Sequence, residues 1–203
     1  MVKKRGKLIA IEGIDQAGKR TQAHLLVRDI RKAGILASVW NFPNYTTPLG
    51  KHLKAYLNGK IHLDFHSTHL LYAANKWEVA DGLIHRLERG ETAIVNRYTP
   101  SNLAYGVAHG LPRSWLVSLE EGLPKPSVVV VLDIPPRTSQ GRKKTNRDIH
   151  EVDLAYLNKV RRQYLHLAAR YSWKIVDGQQ DPETVRRLVW MKVVAVLLGR
   201  KRV

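Results

Sequence analysis

The most constraining stretch of this chain is Ile11-Glu12-Gly13-Ile14-Asp15-Gln16-Ala17-Gly18-Lys19-Arg20-Thr21. It follows Leu8-Ile9-Ala10-Ile11, an apolar run short enough to be one buried strand, and leads into a helical pattern starting near Gly18. Strand, glycine-framed loop, lysine and helix, in that order, make a phosphate cradle. The loop N–H groups and the new helix N-terminus together form a concave anion site. The spacing Gly-x-x-x-x-Gly-Lys is met by Gly13, Ile14, Asp15, Gln16, Ala17, Gly18 and Lys19. The next position departs from it. A Ser or Thr hydroxyl normally follows the lysine to hold Mg²⁺, and here Arg20 stands in its place with Thr21 one position late.

The net charge narrows what such a site can serve. At +17, with a pI near 10.3, the chain attracts polyanions: nucleic acid, anionic membrane or phosphorylated metabolites. The cations are spread along the sequence, apart from the two termini and an internal cluster of Arg137, Arg142, Lys143, Lys144 and Arg147. With no cysteine there are no disulfides and no thiolate chemistry. No apolar run approaches a bilayer's thickness. The basic N-terminus runs straight into the first strand and leaves no signal-peptide core, so a cytoplasmic protein is expected. Abundant Arg and Lys also suit a heat-adapted source.

Along the chain, strands and helices alternate. Periodicity predicts a helix over 19–33, closed by Gly34, and a strand over 35–42 ending in the turn-rich Phe42-Pro43-Asn44-Tyr45-Thr46-Thr47-Pro48. A helix over 49–57 follows. The longest helix is expected over 65–89, with Leu70, Ala73, Trp77, Ala80, Ile84 and Leu87 on its buried stripe and Gly90 as its stop. Tyr72 and Lys76 share one face of it. A strand over 92–96 leads into Arg97. Short helices over 102–109 and 113–120 precede the clearest strand, 127–134, whose β-branched run suits cover on both faces. A short helix opens at Pro135-Pro136, a long one spans 151–171, a last strand lies at 172–176, and Asp181-Pro182-Glu183 starts the final helix. The pattern predicts a single α/β domain over 1–203: a five-stranded parallel sheet between two helical layers. In such folds ligands lie beyond the carboxyl ends of the strands, so the loops at Gly13, Phe42 and Arg97 should converge.

At these residues the sequence resembles the thymidylate kinases of the P-loop nucleoside monophosphate kinase superfamily. The resemblance rests on five groups in family order. They are Glu12-Gly13-Ile14-Asp15 with Gly18-Lys19 and Thr21-Gln22; Phe42-Pro43 with Thr47 and Gly50; Leu71 to Glu78; Asn96-Arg97-Tyr98 with Ser101 and Tyr105-Gly106; and Gly122-Leu123-Pro124-Lys125-Pro126. It implies a P-loop three-layer sandwich with a basic lid at about 137–150, and ATP-dependent phosphorylation of dTMP to dTDP with Mg²⁺. Gly13 through Thr21 would bind ATP, with Lys19 on its phosphates, and Arg142 would join them from the lid with Lys143, Lys144, Arg147 and Glu151. On the acceptor side, Asp15 would approach sugar or phosphate, Phe42 with Pro43 and Tyr72 would wall the base, and Lys76 would meet a thymine carbonyl. Asn96, Arg97, Ser101 and Tyr105 complete the dTMP site, Arg97 bridging the acceptor phosphate and the transferring group. ATP and dTMP are thus the expected partners, together with a second copy in a homodimer, and neither membrane nor nucleic acid is expected.

Three positions depart from that pattern. Arg20 replaces the metal-binding hydroxyl, Asn96 replaces the Asp of the usual Asp-Arg-Tyr, and Tyr45 stands where many relatives carry a phosphate-binding Arg. One reading is a rearranged site, with Mg²⁺ held mainly by ATP and Arg20 on phosphate. In another, Arg20 points outward and Thr21 or water replaces the hydroxyl. In a third, turnover is weak or lost and the chain only binds nucleotide. A basic nucleic-acid-binding module is the alternative of a different class. His66 and His69, on one helix, invite a metal reading but lack further ligands at fitting spacing.

Overall fold

The computed structural model describes residues 5–142 and 153–198. Lys143, Lys144, Arg147 and Glu151 lie outside the described residues, as do the basic ends of the chain.

Five strands form one parallel sheet: β1 (Leu8–Glu12), β2 (Ala37–Asn41), β3 (Thr92–Asn96), β4 (Val128–Asp133) and β5 (Lys174–Asp177). Their order is β2-β3-β1-β4-β5. β1 is therefore central, with Ile11 beside Asn96 of β3 on one edge and Val130 of β4 on the other. All of β1 is buried, and so is β4 up to its last residue. A strand covered on both faces needs apolar side chains in both directions, which is why these runs do not alternate.

The helices flanking the sheet are α1 (Lys19–Lys32), α2 (Pro48–Leu57), α3 (Phe65–Trp77), α4 (Ala80–Glu88), α5 (Thr99–Ala108), α6 (Arg113–Ser118), α7 (Pro136–Arg142), α8 (Leu154–Tyr171) and α9 (Pro182–Leu197). α1 buries Ala23, Leu26, Val27 and Ile30, the stripe its spacing predicts.

The expected single helix over 65–89 is two helices. Glu78 and Val79 interrupt it, because the Glu78 carboxylate is drawn to the start of α2. It accepts from Leu49 N (3.0 Å), Thr47 Oγ1 (2.6 Å) and Asn75 Nδ2 (2.9 Å). The stripe is kept in part. Ala73, Ala80 and Leu87 are buried as expected, whereas Leu70 and Trp77 are exposed and Thr68, His69, Asn75, Lys76 and Leu83 are buried beside them. Trp77 is held sideways by its indole N–H, which donates to Leu119 O at 3.1 Å. Polar tertiary contacts have outweighed apolar periodicity here.

Candidate active site

The loop after β1 departs from ordinary backbone at three places: Gly13 (φ 133°), Gln16 (φ 57°) and Gly18 (φ 89°). At Gly13 the need is also steric, since a Cβ would lie 2.4 Å from Leu132 O. Gly18 caps α1, whose first turn carries no acidic residue, so no carboxylate of that turn competes for an anionic ligand. Lys19 is buried, and its ammonium donates to Ile14 O at 2.6 Å, lying across its own loop.

Two voids meet beside this loop. The smaller, of about 560 Å³, is lined by Asp15, Phe42, Pro43, Tyr45, Tyr72, Lys76, Arg97, Ser101 and Tyr105, with His69, Tyr98 and Asn102 closing it. The larger, of about 1350 Å³, runs from Gly18, Lys19, Arg20 and Thr21 past Asn41 and Asn96 to Asn44 and Thr46. Asp15, Phe42, Pro43, Tyr45 and Arg97 line both, so one continuous cleft joins a ring-sized pocket to an anion cradle.

Arg97 occupies the junction. It follows β3 with a left-handed backbone (φ 62°), a conformation a non-glycine residue keeps only where its surroundings enforce it. Its Nη2 pairs with Asp15 Oδ1 and donates to the Tyr105 hydroxyl at 3.2 Å, while Nη1 donates to Ser101 Oγ at 3.4 Å. The Tyr105 hydroxyl in turn donates to Asp15 Oδ2 at 2.7 Å. Burial works against the Arg97 charge, but Asp15 outweighs it and holds the guanidinium well above its ordinary pKa. Burial also pushes the Tyr105 phenol well up, so it acts as a neutral donor.

The remaining expected residues distribute as follows. Phe42 and Tyr72 both reach the smaller void, Phe42 with its ring tilted against Tyr98 at 5.5 Å. Lys76 also lines that void, but its ammonium is committed to Glu120 Oε1 at 2.8 Å and Tyr72 O at 3.0 Å. Asn96 donates to Asn41 Oδ1 at 3.0 Å, and its own Oδ1 is buried with no partner among the described residues. Arg20 and Thr21 are exposed on the wall of the larger void. Arg142 reaches the loop itself, donating to Gln16 O (3.1 Å), and bonds also to Gly178 O (2.8 Å).

His69 bonds to Asn102 Oδ1 (2.6 Å) and His109 Nδ1 (3.0 Å), whereas His66 packs against Trp115. Among the described residues no cluster of His, Asp and Glu could hold a metal. Among the described residues around the cradle, the carboxylates are already engaged. Glu12 and Asp15 are committed to hydrogen bonds, leaving the neutral Asn96 Oδ1 and the Thr21 hydroxyl.

Sequence reading gave no role to Glu12, Tyr98, Asn102, Glu120 or Tyr164. Of these, only Glu12 and Tyr98 carry a local signal, lying inside motifs quoted for the resemblance.

A cleft that offers one end to a polyphosphate and the other to a flat ring, with an arginine between, defines the nucleoside monophosphate kinase class of P-loop proteins. Comparison with known proteins specifies the class further. The pattern of the family "Thymidylate kinase" matches residues 11–189. The thymidylate kinase of Danio rerio is 34% identical over 187 residues, 91% of this chain and 88% of that protein. That of Arabidopsis thaliana is 36% identical over 193 residues, 95% of this chain and 73% of its own. The solved thymidylate kinase of Candida albicans superposes with a TM-score of 0.84 at 29% identity, covering 95% of this chain and 92% of that one. The chain belongs to the thymidylate kinase family.

Proposed function

We propose that this chain transfers the γ-phosphoryl group of ATP to dTMP, releasing ADP and dTDP. The observation that carries this reading, beyond family membership, is the sharing of Asp15, Phe42, Pro43, Tyr45 and Arg97 between the ring pocket and the anion cradle. Phosphoryl transfer requires two polyanions to be held end to end with their charge neutralised, and a continuous cleft with a cation at the junction does this.

Gly13 to Thr21 wraps the donor phosphates, and Lys19 exchanges Ile14 O for a phosphate oxygen. Phe42, Pro43 and Tyr72 wall the base, with Ser101 beside it. Tyr105, held by Asp15, excludes a ribose 2′-hydroxyl. Arg97 spans the acceptor phosphate and the group in transfer. Mg²⁺ enters on the phosphates of ATP, as part of the substrate. Arg20, on the cradle wall, supplies phosphate with a bidentate cation where relatives place a hydroxyl. A second copy of the chain covers α3, whose Leu70 and Trp77 are exposed; sedimentation velocity at micromolar concentration should give a dimer.

The test is ADP release with each nucleoside monophosphate at stepped Mg²⁺, repeated on Arg20→Ser and Asn96→Asp. Release stimulated by dTMP is expected, and its absence at every Mg²⁺ level would sink the proposal. Losses in the two variants mark Arg20 and Asn96 as working parts; large gains mark them as impairments. The net charge of +17 is the one observation favouring nucleic acid as a ligand. Tight, salt-sensitive DNA binding without dTMP-dependent turnover would replace the kinase reading with it.

A further inference from the structure

One fully buried charged group has no part in the transfer just described: Glu12, the last residue of β1. Its Oε1 accepts from Tyr98 N at 2.8 Å. Its Oε2 accepts from Ser101 Oγ at 2.6 Å and from the Tyr164 hydroxyl at 3.0 Å. The Ser101 and Tyr164 oxygens lie 2.9 Å apart. Tyr164 comes from α8, which begins at Leu154, whereas α7 ends at Arg142; the whole basic segment separates it in sequence from the loop it touches.

We propose that Glu12, Ser101 and Tyr164 form a hydrogen-bonded relay that aims Arg97, which makes Glu12 and Tyr164 positioning residues for phosphoryl transfer. The proposal rests on the kinase reading above. Where Glu12 is ionised, its carboxylate can only accept. Ser101 therefore spends its one hydroxyl proton on Glu12 and presents a lone pair to Arg97 Nη1. On its other side the guanidinium is held by Asp15 and Tyr105, which also line the acceptor pocket. An incoming phosphate competes for that side, so the Ser101 side keeps the plane of the fork when substrate is bound. The Tyr98 N–H bond to Oε1 fixes the backbone directly after Arg97, where φ is 62° and the chain would otherwise relax.

Glu12→Gln tests this because it is isosteric yet reverses the relay. Tyr98 N–H needs an acceptor, so the amide oxygen must take the Oε1 place and the NH₂ must face the two hydroxyls. Ser101 then accepts from residue 12 and turns its proton toward Arg97, donor against donor. A role limited to filling space would survive this exchange.

The experiment is steady-state kinetics on Glu12→Gln and Tyr164→Phe, alone and combined with Arg97→Lys, with melting curves for each. Expected is a fall in kcat of roughly tenfold for Tyr164→Phe, the worth of one hydrogen bond to a charged group. A larger fall is expected for Glu12→Gln, with the KM for ATP changed less than about twofold in both. In the Arg97→Lys background neither change should cost anything further, since the arginine they aim is gone. Unchanged kcat in a folded variant, or losses that multiply with that of Arg97→Lys, would overturn the relay. Should Tyr164→Phe melt below the assay temperature, Ser101→Ala takes its place in the same cycle. An unaltered protein without dTMP-dependent turnover refutes the kinase reading alone. The relay is then judged by the same cycle in dTMP affinity, measured by calorimetry.

Discussion

Removing the Glu120 carboxylate is expected to be among the most damaging single changes in this protein. Lys76 and Glu120 form an ion pair with side chains only 4% and 6% exposed. The contact is short, 2.8 Å, but poorly aligned: Glu120 Oε1 receives no well-directed hydrogen bond. The ammonium also donates to Tyr72 O at 3.0 Å. Burial raises the Glu120 pKa against the pull of Lys76, the mark of a charge kept from water by its partner. Glu120→Ala strands the ammonium in that environment, which costs about 3–5 kcal/mol. For a chain of this size that lowers Tm by about 6–20 °C. Calorimetric melts and urea titrations at neutral pH would measure it. Lys76→Met with Glu120→Leu removes both charges and fills the space, so the double variant should recover most of the loss. A single-variant cost below about 1 kcal/mol, or a double variant no better than the single, would refute the reasoning, because the pair would then behave as solvated.

Three further outcomes follow from the site. Burial holds the Glu12 carboxyl above its usual 4.5, so between that value and its folded pKa the folded chain keeps a proton that the unfolded chain has lost. Its contribution to stability is full below 4.5 and declines as pH rises through the folded pKa; Glu12→Gln should remove that part of the slope in pH-stepped urea melts. Gly13→Ala forces a Cβ to within 2.4 Å of Leu132 O and should abolish detectable ATP binding, whereas Gly18→Ala meets nothing within 4 Å and pays only for its φ of 89°. That cost is about 1–3 kcal/mol of stability, and nucleotide titrations beside melts separate the two variants. Arg97→Ala should lower kcat by about 10³-fold or more, the scale of a lost transition-state cation, read in steady-state kinetics on protein shown to be folded by its melting curve.

Much of this was legible in the sequence because its causes are local. The strand, loop and lysine at 8–19 are fixed by glycine geometry and apolar runs, and the order of strands and helices by simple periodicity. Arg97 and Asp15 could be placed at one cleft because both directly follow strands of a parallel sheet. What stayed hidden depends on partners far away in the chain. Glu78 breaks the long helix by reaching Leu49, and Lys76 faces Glu120 instead of open space, with forty-odd residues between them. Tyr164 reads as one more apolar position of α8, yet its hydroxyl ends at Glu12. No pattern of 3.6 or 2 residues encodes such meetings. Arg20 is intermediate: its oddity is visible in the motif, and its exposure on the cradle wall is not.

The bond from Lys19 to Ile14 O gives the ammonium an acceptor within its own loop, so any phosphate has to compete with that carbonyl. A carbonyl fixed on the same loop competes as an intramolecular partner. Inorganic phosphate offers the ammonium a charged oxygen in exchange for a neutral one, but nothing along the rest of the cleft. A nucleotide gains more, since its ring and remaining phosphates bind elsewhere along the cleft and carry the exchange with them. A ligand held at both ends of the cleft is therefore better placed than a lone phosphate to draw Lys19 from its carbonyl.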